Sequence, residues 1–445
     1  MLPVPTLRLA GLTAAGGVLA LVSPWPWTTL VALNLVLAVT AAIDWRRAPA
    51  PARVALQRDA PEVITLGGAG TVTWTVRNPA RHALRAGLAD ELVDALGAPQ
   101  RRAWMVVPPG GRARRHVELR PIRRGRFTLR TMTLRVTGPW GLAARQGTRE
   151  VPHVLTVYPP FRSRAETELR LNRARQLQIG TRSVRTRGDS TEFDSLREYT
   201  VDDELRRIDW AATARSAHPV VRTYRAERNQ TVLVLVDCAR TMAALVGAAT
   251  AGTTSTASIP RLEHAMDAAQ AVTRLATGLG DRVGLVAFAD RVLATVPPRT
   301  QRDQLRRLTA RLAAIDARLV EADYRAAFAH ALHHHPRRAL LVVLTELAGE
   351  AATQTLVPAL PMLRRRHLVV VGAVRDPVVE DWSRQRPATA GQTYRRAAAL
   401  RTLEQRTAVA RTLRHGGATV VDVVPGGLAT AICDTYLETK ATGRL

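Results

Sequence analysis

Two runs without a single charge open the chain, residues 9–22 (LAGLTAAGGVLALV) and 30–43 (LVALNLVLAVTAAI), separated by SPWPWTT. Pro24 and Pro26 break a helix there, and Trp25 and Trp27 suit a membrane interface. Each run alone falls short of the roughly 20 residues a spanning helix needs. Counting residues 5–25 and 27–45 brings both near that length. From residue 48 to 158 the period drops to two. TVTWTVRN (71–78) and GRFTLRTMTLRV (125–136) alternate, and Gly/Pro clusters at 67–70, 108–111 and 138–141 mark turns. This predicts a small all-β domain, a sandwich or barrel of immunoglobulin-like kind.

Residues 161–229 are charged and largely aperiodic, except for 192–215. Beyond Thr231 apolar strands alternate with amphipathic helices. Strands are expected at 231–236, 282–288, 339–344, 368–374 and 418–424, and helices at 261–278, 300–315, 324–334, 355–366 and 396–415. Such a series implies a parallel sheet covered on both faces, an α/β doubly wound domain whose ligands sit beyond the carboxyl ends of its strands. GAATAGTTSTASIP (247–260) interrupts it and reads as a mobile insertion near that edge. The expected organisation is multidomain: a transmembrane helical hairpin (1–47), a β-sandwich-like domain (48–158), a charged linker (159–229), the α/β domain (230–438) and a tail (439–445).

A signal peptide competes for the first apolar run, and two buried helices of a soluble core compete for the pair. The second run follows almost at once and leads into Arg46 and Arg47, which favours a two-helix anchor. Arg8, Arg46, Arg47 and Arg53 lie on one side of it and the seven-residue turn has no basic residue, so the positive-inside rule places both ends and the body in the cytosol, at the plasma membrane.

Composition changes this picture little. The formal charge of +27 suggests a nucleic-acid partner, yet all but one of the 64 basic residues are arginine, the exception being Lys440. They are spread from Arg8 to Arg444, not gathered beside aromatics that stack bases. A solvated basic surface or attraction to anionic lipid fits better than nucleic-acid binding. Cys238 and Cys433 form neither a disulfide framework nor a zinc spacing.

EFDSLREYTVDDELRRIDWAATAR (192–215), VLVLVDCARTM (232–242), GDRVGLVAFAD (280–290) and ALLVVLTEL (339–347) together resemble the von Willebrand factor A-like proteins called the domain-of-unknown-function 58 family. The first block matches at Glu192, Phe193, Leu196, Arg197, Tyr199, Asp203, Arg206 or Arg207, Ile208, Asp209, Trp210, Ala214 and Arg215, and departs at Asp202, where glycine is usual. The resemblance implies a C-terminal von Willebrand A-like domain and a partner of the MoxR-type AAA+ ATPase class, without implying a reaction.

It also implies where a metal would sit. The A-domain motif D-x-S-x-S, with a threonine and an aspartate from two further loops, holds Mg²⁺ or Mn²⁺ through hard oxygen ligands. Here the motif reads Asp237, Cys238, Ala239, Arg240, Thr241, so one hydroxyl is missing. Asp323 stands about where the second-loop threonine would be, and Glu346 follows Thr345 where the third-loop aspartate would be. Two readings are open: a weak, degenerate site of Asp237, Thr241, Asp323 and Glu346, or a metal-free relic with Arg240 bridging the carboxylates.

HALHHHP (330–336) has metal-binding spacing, and equally the marks of a helix C-terminus. Arg-Gly-Asp at 187–189 is read as chance. Glu192, Arg197, Tyr199, Asp203, Arg207, Asp209, Trp210 and Arg215 are expected to serve docking. A phosphate-cradling G-x-x-x-x-G-K-[ST] and a nucleophile elbow are absent from the sequence. The expectation is a membrane-anchored, cytosol-facing interaction scaffold, not an enzyme. The alternatives are a metal-dependent hydrolase built on the acidic cluster, and a basic protein of membrane surfaces or nucleic acid.

Overall fold

The apolar runs become helices because nothing inside them competes with the helical ladder. β1 (Pro3–Pro5) leads into α1 (Leu7–Val22), whose N-terminus is capped by the Thr6 hydroxyl, and α2 (Pro26–Arg47) begins with proline in its first turn. The two pack together at Gly16, where a Cβ would lie 3.2 Å from Leu33. At 1.5 Å per residue α1 is about 24 Å long and α2 about 33 Å. The stretch starting at Pro26 is long and apolar enough to cross a membrane, whereas α1 is shorter. The computed structural model describes residues 3–180, 192–200, 208–216, 218–225, 230–247, 259–347 and 352–442. These fall into two compact units, Met1–Tyr158 and Pro159–Leu445.

In the first unit the alternating segments form β2 (Ala55–Asp59), β3 (Val63–Thr65), β4 (Gly70–Arg77), β5 (Leu84–Asp90), β6 (Arg102–Val107), β7 (Arg112–Leu119), β8 (Gly125–Thr137) and β9 (Ala143–Tyr158). One sheet has the order β1-β9-β8-β5-β6 with β3 on β9, and the other β2-β4-β7. Both contribute to one core, with Trp74 of the smaller sheet against Leu88, Leu134 and Leu155 of the larger. Arg58 is buried there with all five N–H donors used: on Asp90, and on the carbonyls of Leu129, Thr131 and Val151. The Trp74 indole donates to the same Asp90 at 2.7 Å.

The second unit comprises α3 (Arg164–Gly180), β10 (Glu192–Glu198), α4 (Trp210–Ser216), β11 (Val220–Arg225), β12 (Thr231–Asp237), β13 (Leu245–Val246), β14 (Ile259–Pro260), α5 (Arg261–Gly278), β15 (Arg282–Phe288), β16 (Val292–Arg299), α6 (Gln304–Ala313), α7 (Tyr324–His334), β17 (Leu340–Leu344), α8 (Val357–Arg364), β18 (Leu368–Val374), α9 (Pro377–Arg384), α10 (Ala390–His415), β19 (Thr419–Val423) and α11 (Leu428–Ala441). The main sheet is ordered β16-β15-β12-β17-β18-β19 and is parallel apart from the edge strand β16, which holds Pro297 and Pro298. Successive residues of β12 serve opposite faces. Val232, Val234 and Val236 join one core with α5 and α11, while Leu233 and Leu235 join another with α7, α8 and α10.

All five expected strands are present, and β16, α9 and α11 are additional. Two boundaries differ from expectation for one reason. The sheet-facing helix α5 is buried along almost its whole circumference and needs cover on its outer side as well. α3, from the stretch expected to be linker, supplies it: Leu171 is fully buried against Gly278, where an added Cβ would clash. α11 supplies the rest and continues to Ala441, past the expected tail boundary. There Tyr436 and Lys440 both reach Asp281 at 2.5 Å. Residues 248–258, within the expected insertion, and the Arg-Gly-Asp triplet lie outside the described residues.

Candidate functional site

β12, inside the main sheet, ends at an acidic residue, Asp237, whose side chain is completely buried. Two neighbouring loops converge on it. Tyr324, the first residue of α7, donates its hydroxyl to Asp237 Oδ2 at 2.9 Å, and Thr345, just after β17, donates to the same oxygen at 2.7 Å. The two hydroxyl oxygens are themselves 2.7 Å apart. Oδ1 accepts the Ala239 N–H at 2.8 Å. With both hydroxyl protons directed at Oδ2, none is left for the approach of the two hydroxyl oxygens to each other. Burial pushes the Asp237 carboxyl above its ordinary range, against the hydrogen bonds from Thr345, Ala239 and Tyr324. Burial and the charge of Asp237 also raise the Tyr324 phenol well above its usual value, so it remains a donor.

Beside this triangle lies a second buried network. Glu346 pairs through Oε1 with Arg406, which also makes a forked contact to Asp422, the closest approach being 2.7 Å. Arg261 Nε lies 2.7 Å from Glu346 Oε2, a charge contact whose N–H is not aimed at the oxygen. Burial works against the Arg406 cation, and its hydrogen bonds to Asp422 with the charge of Glu346 outweigh it, raising the Arg406 pKa.

The four sequence-predicted metal ligands are therefore distributed. Asp237 faces two hydroxyls. Asp323 is exposed and caps α7 by accepting the Ala326 N–H at 2.9 Å. Glu346 is held by arginines. Thr241 lies on the single helical turn after Asp237 and is half-buried. Arg240 pairs at the surface with Glu321, not with the buried carboxylates. Among the described residues no three His, Cys, Asp or Glu side chains form a group able to hold a metal ion. A Mg²⁺ or Mn²⁺ donor set of these four residues does not fit this arrangement. The residues actually meeting Asp237 are sequence neighbours of those expected, Tyr324 after Asp323 and Thr345 before Glu346. The T-E dipeptide was a signal for Thr345, whereas nothing marked Tyr324 or the Arg406–Asp422 pair.

The expected docking block is a small hairpin, β10 with β11, carrying α4. Asp209 caps α4 by accepting the N–H groups of Ala211 and Ala212, Arg215 bonds back to the Ala211 carbonyl, and Trp210 is 70% exposed. Tyr199 is half-buried, its N–H bonded to the Pro219 carbonyl. Glu192 and Arg197 lie on β10, and Asp203 and Arg207 fall outside the described residues. The histidine run ends α7: His334 contacts the His330 carbonyl at 2.9 Å and stacks on its ring at 4.1 Å, while His330 meets Thr295 at 3.0 Å.

Residues 195–382 match the family described as "Protein of unknown function DUF58". Uncharacterized proteins of Mycobacterium tuberculosis and Mycobacterium bovis are 28% identical over 192 residues, 43% of this chain and 56% of each relative. The chain thus spans about half the length of the curated relatives it matches. Among solved structures, a CARDB domain from Pyrococcus furiosus covers 23% of the chain and 91% of that domain at 9% identity and TM-score 0.16. A FixG-related protein from Vibrio parahaemolyticus covers 23% of the chain and 95% of its own at 13% identity and TM-score 0.17. Both likenesses are too slight to bear on the fold.

Proposed function

We propose that this chain is a membrane-anchored, cytosol-facing interaction scaffold, with α1 and α2 as its anchor and a von Willebrand A-like second unit that acts as adaptor to a MoxR-type AAA+ ATPase. The observation that carries the reading is the internal commitment of the carboxylates at the strand ends. Asp237 is engaged by Tyr324 and Thr345, and Glu346 by Arg406. A metal-dependent hydrolase needs such groups open toward water and substrate. A binding edge needs them only to hold the loops in shape. The exposed Trp210 on its short helix adds an anchor of the kind that dominates protein interfaces.

The test is affinity capture with the detergent-solubilised full chain from an extract of its own cells, in Mg²⁺ and in EDTA, read by mass spectrometry. An AAA+ ATPase retained in both, and weakened by Trp210→Ala, is the expected result; no ATPase in either sinks the adaptor role. Millimolar or tighter Mn²⁺ binding in calorimetry would instead restore a metal at Asp237. Orientation is tested separately: a cysteine placed between Pro24 and Trp27 should label from outside the cell.

A further inference from the structure

Both ends of the helical pair are tied to one turn, residues 138–143, between β8 and β9. At the entry, β1 pairs with Ala143, Ala144 and Arg145, and the Thr6 hydroxyl donates to the Gly141 and Leu142 carbonyls at 2.6 and 3.0 Å. At the exit, Asp44 is fully buried and accepts three backbone N–H groups, from Trp140, Leu142 and Ala143, at 2.8, 2.8 and 3.0 Å. Gly138 makes room for it, since a Cβ there would lie 2.4 Å from the carboxylate. Arg145 binds the Trp45 carbonyl at 2.9 Å and lies 4.5 Å over its ring.

This clamp decides the charge at the base of the helices. Asp44 is the one acidic residue among residues 1–57, and its oxygens are turned inward onto amides. Arg46 and Arg47 leave the last turn of α2 exposed, and Arg47 lies 5.0 Å over the ring of Trp140, itself 44% exposed. Arg8, also exposed, packs on the other side of the turn at Gly141, whose positive φ of 76° and close contact suit glycine. Immediately beyond these cations the helices present bare apolar side chains, including Leu12, Val36, Val39 and Ile43. An exposed apolar shaft, then guanidinium groups and a tryptophan held at one level, is the polarity sequence of a bilayer from acyl chain to headgroup.

We propose that this base is a binding site for the headgroup of an anionic phospholipid, with Arg8, Arg46 and Arg47 taking the phosphate oxygens and Trp140 lying at the glycerol level. Guanidinium groups suit the phosphate because their planar forks donate in pairs, and the Asp44 oxygens are already taken by three backbone N–H groups. The inference rests on the reading of the helical pair as a membrane anchor and adds the lipid class and the residues that select it.

The full chain is reconstituted into vesicles of phosphatidylcholine, with and without phosphatidylglycerol, and scored by co-flotation. The lipids retained after release from mixed bilayers are then counted by native mass spectrometry. Co-flotation with both vesicles and preferential retention of phosphatidylglycerol are expected. Arg46→Gln with Arg47→Gln should cut that preference roughly 25-fold, about fivefold for each arginine, without changing flotation. Arg8→Gln, on the other helix, should cut it about fivefold. Equal retention of the two lipids, or unchanged preference in both variants, overturns the headgroup site while leaving the anchor standing. Failure to float with either vesicle overturns both.

Discussion

Tyr324 shows how a single side chain redefines a site. Its ring packs edge-on against Phe288 and Phe328, which places the hydroxyl on Asp237 and Thr345. Tyr324→Phe keeps the ring contacts and removes one proton donor from a buried carboxyl, so it should destabilise the second unit by about 1–3 kcal/mol. A urea midpoint equal to wild type would show that the triangle contributes nothing. His264 offers a pH test. Burial, and then the charge of Arg162, push it down to about 4 from 6.5, and its Nε2 is buried without a hydrogen-bond partner among the described residues. The fold therefore favours the neutral ring, while the unfolded chain takes up a proton near 6.5. Stability present above pH 6.5 is lost as the pH falls toward about 4, by roughly 3 kcal/mol at the acid end. His330, His335 and His367 are also lowered, chiefly by burial, and act in the same direction. Denaturation of His264→Gln across this range should show a shallower acid decline; parallel curves would refute the assignment.

Among the elements, the two sheets of the first unit depend on a charge that hydrophobic patterning would have placed outside. The alternation of β2 alone gives Arg58 no better claim to the core than any polar residue. What admits it is Asp90 of β5 together with three carbonyls on β8 and β9, which satisfy the guanidinium completely. Arg58→Met leaves Asp90 buried with the Trp74 indole as its remaining side-chain donor, and should cost about 3–5 kcal/mol, read as a lower thermal midpoint of the first unit. No shift would mean that the pair is dispensable. The strands of the second unit were legible for the opposite reason: β12, β15, β17 and β18 are buried on both faces and read as unbroken apolar runs. α3 was not legible, because a mostly polar helix contributing one deeply buried leucine leaves almost no periodic trace.

At the scale of the whole molecule, the unit boundary at Tyr158 and Pro159 assigns α3 to the C-terminal unit. A fragment of residues 159–445 should therefore unfold cooperatively, whereas a fragment beginning at residue 230, although it contains the whole main sheet, should lose that transition because the outer face of α5 is uncovered. Equal behaviour of the two fragments in calorimetry would rule out this boundary. The sequence by itself determined what depends on local periodicity and composition: two apolar helices, an alternating β region, the parallel α/β series, and Asp237 at a strand end. Only the tertiary structure decided which groups meet that aspartate, which arginines are buried, and that Asp44 is folded inward beneath a collar of exposed arginines. Periodicity reports the face a residue presents, while hydrogen-bond partners come from loops 80 to 110 residues away, such as Tyr324 and Thr345 at separations of 87 and 108. A one-residue offset in a loop then exchanges a carboxylate ligand for a hydroxyl donor.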